Sequence, residues 1–210
     1  MPPTEQPLRR DAERNRRLLL STAGELMARR GLDVSYEEIA RAAGTGVGTV
    51  YRRFPTRDDL VDAVFGEHVD TVCAMAEQAA REEDPWRGLA AFLERQLELE
   101  AADRALGEIL RGQRGSYAIV HRASRRMTPV VDEVLRRAVA AGTVSADVTA
   151  ADLVAVHVMV GSVLDASRAF APDLWRRALA IALAGLQHAR MPGPRPAEDV
   201  IEHLFTRDGN

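Results

Sequence analysis

The chain contains no lysine; all 28 of its cationic side chains are arginine. That absence excludes a Walker-type phosphate lysine, a Schiff-base lysine and every lysine nucleophile. The single cysteine, Cys73, rules out an internal disulfide and points to a reducing compartment. Aromatic residues are only 5% of the 210. There is no long hydrophobic run either: the longest largely apolar stretch, Leu153 to Leu164, has 12 residues and is interrupted by His157 and Ser162. It falls short of the roughly 20 residues that a membrane span needs. The opening MPPTEQPLRR has no apolar signal-peptide core, so a cytoplasmic location is expected. Sustained apolar/polar alternation is nearly missing, which argues against strands.

What is present is ordinary for a globular chain, with 46% hydrophobic and 28% charged residues. Charge is unevenly placed. Residues 1–60 hold 11 arginines against 9 acids, whereas the rest holds 17 against 22, giving −3 overall. The front of the chain is therefore the better surface for a polyanion.

Apolar spacing predicts helices throughout. After a Pro-containing arm, Asp11 to Arg30 reads as a helix stopped by Gly31. Ser35 and Glu38 form a capping-box pattern that opens a short helix through Ala43. Gly44-Thr45-Gly46 breaks it, and a second short helix is expected from Val47 to Arg53, ended by Pro55. Thr56, with Asp58 and Asp59 behind it, caps a long helix. Asp84-Pro85-Trp86 starts the next, a shorter one covers about Arg104–Arg111, and a long one from about Tyr117 to Ala141 carries Pro129, where a kink is expected. Two apolar helices, about Ala150–Phe170 and Pro172–Arg190, close the fold. Pro192 to Pro196 then reads as a linker to a short helix around Val200 to Phe205.

Residues 35–60 carry the chemistry. Two short helices joined by a glycine turn and fronted by a longer one match a helix-turn-helix. Val50 and Phe54, four apart, can anchor the second helix and leave Val47, Gly48, Thr49, Tyr51, Arg52 and Arg53 for other faces. Gly48 permits close backbone approach, Thr49 and Tyr51 can donate to phosphate oxygens, and the arginines supply charge. A dinucleotide loop at Gly44–Gly48 is the rival reading. It is disfavoured because an amphipathic helix, not a strand, precedes it and Thr49 stands where a glycine is required.

Ala23, Gly31, Ser35, Ile39-Ala40, Ala43-Gly44, Gly48-Thr49-Val50-Tyr51, Phe54, Arg57 and Leu60 together resemble the DNA-binding domain of TetR/AcrR-type bacterial transcriptional regulators. The resemblance implies an all-α fold: a DNA-binding helix-turn-helix domain at 1–60, a helical ligand-binding and dimerisation domain at 61–190, and a linker and tail at 191–210. It implies DNA contacts from Ser35, Gly46, Val47, Gly48, Thr49, Tyr51, Arg52, Arg53 and Arg57. Thr49, Tyr51 and Arg57 would go to phosphates, and Val47, Gly48 and Arg52 to base edges. Thr45 departs from the family's usual apolar residue and Gly46 from its usual Ser or Thr cap; Arg57 stands where lysine is common.

The resemblance also implies a small-molecule pocket, for which Met75, Trp86, Phe92, Met127, His157 and Met159 are the candidates, and a homodimer through the helices at about 150–190. The partners expected are double-stranded operator DNA and a small-molecule effector, with no membrane. The function implied is a ligand-released repressor. An activator of the same family, or a helical small-molecule-binding protein or enzyme, are the alternatives. No zinc-type spacing links His68, His121, His157, His188 and His203, and no GxSxG or HExxH motif occurs, so no metal, cofactor or catalysis is expected.

Overall fold

The computed structural model describes residues 5–112, 118–188 and 194–196. Among them the chain forms nine helices and no strand: α1 (Glu5–Arg30), α2 (Tyr36–Ala42), α3 (Val47–Arg53), α4 (Arg57–Ala79), α5 (Pro85–Ala102), α6 (Arg104–Leu110), α7 (Ala118–Ala140), α8 (Ala150–Ser167) and α9 (Leu174–His188).

Local signals set most of these boundaries. The Ser35 hydroxyl accepts from the Glu38 N–H (3.2 Å) while the Glu38 carboxylate accepts from the Ser35 N–H (2.9 Å), closing the capping box of α2. That backbone hydrogen bond, with Arg30 beside it, holds the Glu38 carboxyl below the usual range. Thr56 and Asp59 repeat the device at α4. At the end of α2, Gly44 takes φ +64°. Thr45 N–H then bonds the Ala40 carbonyl (2.9 Å) and Gly44 N–H that of Arg41 (3.3 Å), a Schellman stop that requires the left-handed residue.

Two expectations are corrected. The helix α1 begins at Glu5 rather than Asp11 and runs through Pro7, which sits in the first turn where its missing N–H has no helical partner to lose. The helix α7 continues on both sides of Pro129, the position of the expected kink. The apolar stretch Leu153–Leu164 belongs to a longer helix: α8 has 18 residues and, by length and composition, is long and apolar enough to cross a membrane. A core explains the same composition, because α8 packs on α5, α7 and α9 and buries Leu153, Val156, Val160 and Leu164. The expected start at Tyr117, the end at Arg190 and the helix around Val200 to Phe205 fall outside the described residues.

The first three helices pack around Leu19, Ala23, Met27, Ile39, Ala40, Val50 and Phe54, all buried. The amino end of α4 joins this cluster through Leu60 and Val61, and its remainder lies against α5 and α7. Arg137 of α7 donates to the Ala80 and Glu82 carbonyls (2.6 and 2.8 Å), which fixes the far end of α4. The helix α6 is buried along its length between α1 and α5.

Candidate DNA-reading helix and effector cavity

Two sites emerge from this frame. The first is α3. Val50 is fully buried, and Phe54 at the C-cap is buried below it, so the helix is anchored on one side only. Gly48, Tyr51 and Arg52 are exposed, while Val47, Thr49 and Arg53 are half-buried. The turn into α4 is held by Tyr36, whose hydroxyl donates to the Phe54 and Thr56 carbonyls (3.0 and 2.7 Å). Burial pushes the Tyr36 phenol up in pKa, against the lowering influence of Arg57. The Tyr51 ring, 50% exposed, leans on Tyr36 with ring centroids 4.7 Å apart, which limits where its hydroxyl can go.

The glycines of this segment separate by cause. Gly44 is required by backbone conformation, but a Cβ added at Gly46 or Gly48 meets nothing within 4 Å. Inside a helix a glycine is unfavourable by about 0.5–1 kcal/mol relative to alanine. Internal packing therefore gives no reason for Gly48. At Gly46 the N-cap carries no side-chain hydrogen bond, as its glycine dictates.

The structure finds internal duties for several of the predicted DNA contacts. Ser35 spends its hydroxyl on the α2 cap. Val47 is packed in part against the core. Arg57 donates through Nη2 to the Leu32 carbonyl and sits 5.9 Å over the Tyr36 ring, tying α4 to the end of α1.

The second site is a cavity bounded by α4 to α8 and partly open to solvent; its empty space, the open mouth included, is about 780 Å³. Phe92, Met127 and His157 line it as expected. Trp86, Met75 and Met159 do not, and these three are corrections. Trp86 is half-buried against the core at the start of α5, Met75 lines a different crevice with Gln78 and Arg95, and Met159 is 57% exposed on the outer face of α8. The wall is otherwise apolar, with Val69, Leu93, Ile109, Val120, Val131 and Leu153 among its members; its polar side chains are Gln96, Ser124, Thr128 and His157.

Sequence reasoning missed what lies behind Gln96 and His157. His157 Nε2 is 2.6 Å from Glu100 Oε1 and 3.0 Å from Gln96 Nε2. The other Glu100 oxygen accepts from Arg111 Nη1, and Arg111 Nη2 donates to Asp165 Oδ2 (2.6 Å). Arg168 completes the cluster, donating to Asp165 and to the Ala101 and Glu100 carbonyls. Glu100 and Arg111 are shut off from solvent. The signal was available in the row Phe92, Gln96, Glu100, where two polar residues continue an apolar face at four-residue spacing.

Arg111 caps α6 and lies in a slot made by two glycines. A Cβ at Gly161 would sit 2.5 Å from Arg111 Cδ, and one at Gly107 2.8 Å from Nη1. Gly161→Ala is therefore expected to destabilise the fold by about 1–3 kcal/mol, as overpacking does, measurable by urea unfolding. On the same short helix, buried Glu108 accepts the Leu32 N–H (2.8 Å) and pairs with Arg104 (3.0 Å). One short helix thus touches the cavity through Ile109 and Leu110, the buried ion cluster through Arg111 and the end of α1 through Glu108.

Comparison with known proteins gives the family. Residues 19–64 match the family described as bacterial regulatory proteins, tetR family, and residues 84–188 match the C-terminal domain of SbtR-like transcriptional regulators. A curated HTH-type transcriptional regulator of Staphylococcus aureus is 33% identical over 89 residues, covering 41% of this chain and 46% of its own, so the chain spans about half the length of the curated relative it matches. Two solved structures share the fold alone. The regulator FadR of Bacillus subtilis in complex with stearoyl-CoA is 16% identical (TM-score 0.60, 80% of this chain and 97% of that one). RolR in complex with resorcinol is 24% identical (TM-score 0.50, 95% of this chain and 96% of that one). With one match on the segment that holds α3 and the other on the helices that enclose the cavity, the chain belongs to the TetR family of bacterial transcriptional regulators.

Proposed function

We propose that the chain is a homodimeric repressor that binds a palindromic operator through α3 and is released when a small molecule enters the α4–α8 cavity. The observation that carries this reading is α3 itself: a seven-residue helix whose one fully buried residue is Val50, with Gly48, Tyr51 and Arg52 turned outward. The Tyr51 hydroxyl and the arginines serve phosphates and the Gly48 backbone lies against the duplex, while Val47 and Arg52 reach base edges. Such a regulator works in the cytoplasm, where its DNA is. Fluorescence anisotropy against the DNA flanking its own coding region tests the reading. Specific binding supports it, and affinity no better than for random duplex contradicts it.

The dimer is proposed from α8 and α9. Beyond their buried faces they expose Met159 (57%) and Ile181 (72%), apolar surface that a second copy would cover. A two-fold pair of this kind would set two copies of α3 about 34 Å apart, one turn of DNA. Sedimentation equilibrium is expected to give twice 23.0 kDa. Ile181→Arg is expected to give a folded monomer; an unaltered dimer would remove this face from the interface.

Release is proposed to run through α6. A ligand against Ile109 and Leu110 displaces that helix, and Glu108 passes the displacement to Leu32 at the end of α1. The helix α4 is joined to the same residue by Arg57. The effector acts only through its difference in affinity between the two arrangements, and a hundredfold preference corresponds to about 2.7 kcal/mol of coupling. Glu108→Gln, which keeps an acceptor for Leu32, should retain DNA binding, whereas Glu108→Leu should weaken the effector's influence on it. Stearoyl-CoA and resorcinol, the ligands of the two similar structures, have little chemistry in common, so the effector must be inferred from this cavity.

A further inference from the structure

Two empty spaces lie along α5, and the inference rests on reading the larger as the effector site. One is the cavity already described. The other is a crevice between α4 and α5, lined by Met75, Gln78 and Arg95 among others, with about 500 Å³ of empty space, open solvent included. Phe92 is the one described residue that lines both, so a buried aromatic side chain has space on two sides. On its cavity side it is joined by Val69, Leu93 and Ile109; on the other, the crevice is edged by Gln78, Arg87 and Arg95.

The backbone that carries the ring has no comparable room. One turn before Phe92, a Cβ added at Gly88 would sit 2.5 Å from the Ala79 carbonyl oxygen, so α5 already rests on α4 there. Leu89, Leu93 and Leu97 of the same helix are buried in the core. With the two helices in contact, the ring itself is what divides the apolar cavity from the polar-edged crevice. An apolar chain in the cavity gains affinity with each methylene it buries until it reaches that ring. A further methylene has to push the ring aside or fold back, and overpacking of this kind is unfavourable.

We propose that Phe92 is the specificity-determining residue of the effector site: its ring ends the cavity and sets the longest apolar chain that can enter. The ligand class that follows is a molecule whose apolar portion is short enough to stop at the ring. The crevice is the space that a longer chain would take if the ring were absent.

Titration calorimetry of the full chain with straight-chain primary alcohols, 1-pentanol to 1-undecanol, tests this. Affinity is expected to rise about fourfold per methylene and then to stop rising at a definite length within the series. In Phe92→Ala that limit should move outward by at least three carbons. Met75→Trp, which fills the crevice, should leave the original limit in place when made alone and should cancel the extension when combined with Phe92→Ala. If Phe92→Ala fails to melt cooperatively, Phe92→Leu decides in its place, with a limit at least one carbon longer. An unchanged limit in the truncated variant overturns the proposal. So does an extension that Met75→Trp does not cancel, since that is only the void left by a smaller side chain. A series with no limit, or no binding by any alcohol at its solubility limit, overturns it as well. The anisotropy assay with the tightest-binding alcohol separates the two readings. A limit that answers to Phe92 with DNA affinity unchanged would sink the effector function but keep the role of the ring, and DNA release by alcohols that show no such limit would do the reverse.

Discussion

Glu100→Met is expected to unfold the chain at a temperature lower by on the order of 10 °C, a loss of about 3–5 kcal/mol. The carboxylate it removes is fully buried and is the common acceptor for Arg111, His157 and Gln96. Without it Arg111 keeps Asp165 but loses its inner partner, and its Nε already has none among the described residues. Removing one member of a buried pair costs more than removing both, because the survivor stays desolvated. Arg111→Met should show a similar loss, and Glu100→Met with Arg111→Met should recover a substantial part of it. Calorimetric melting of the three variants gives the coupling directly. Additive losses would mean that the two charges are not a unit.

Gly48→Ala is expected to move stability and DNA binding in opposite directions. The added methyl group meets no protein atom, and alanine favours the helix, so folding should gain up to about 1 kcal/mol. Operator affinity should fall at least tenfold, since the methyl group would stand where the duplex backbone approaches the helix. Thermal melting and anisotropy on the same sample check both signs. A more stable variant with unchanged affinity would leave Gly48 without a role in contact with DNA.

The helix α3 was legible because its determinants are local. The Ser35–Glu38 cap, the left-handed Gly44, the bounds Val47 and Arg53, and the Thr56 cap are all fixed by residues within a few positions of one another. The cavity was legible only in part. Phe92, Met127 and His157 were found by residue type, but Met75, Trp86 and Met159 have the same character and lie elsewhere, because the helix face a neighbour covers decides which side chains converge. The burial of Arg111 was least legible: its slot is made by Gly107 on the same helix and Gly161 on a distant one, and a sequence ties an arginine beside Gly112 more readily to a solvated helix end. Gln96 and Glu100 stood in plain view as polar members of an apolar row, a pattern that sorting by aromatic and sulfur content passes over.

The chain's sole cysteine, Cys73, is buried and its thiol is pushed up in pKa by that burial, so a new surface cysteine can be modified selectively. Arg52→Cys carrying an iron chelate that cleaves DNA locally, held at saturating concentration on the flanking duplex, tests the placement of α3. Two clusters of strand cleavage about one helical turn apart are the result predicted for a two-fold pair of reading helices. Diffuse cleavage, or a pattern no stronger than that from the same chelate at Asp147→Cys, would contradict the assignment of α3 as the helix that enters DNA.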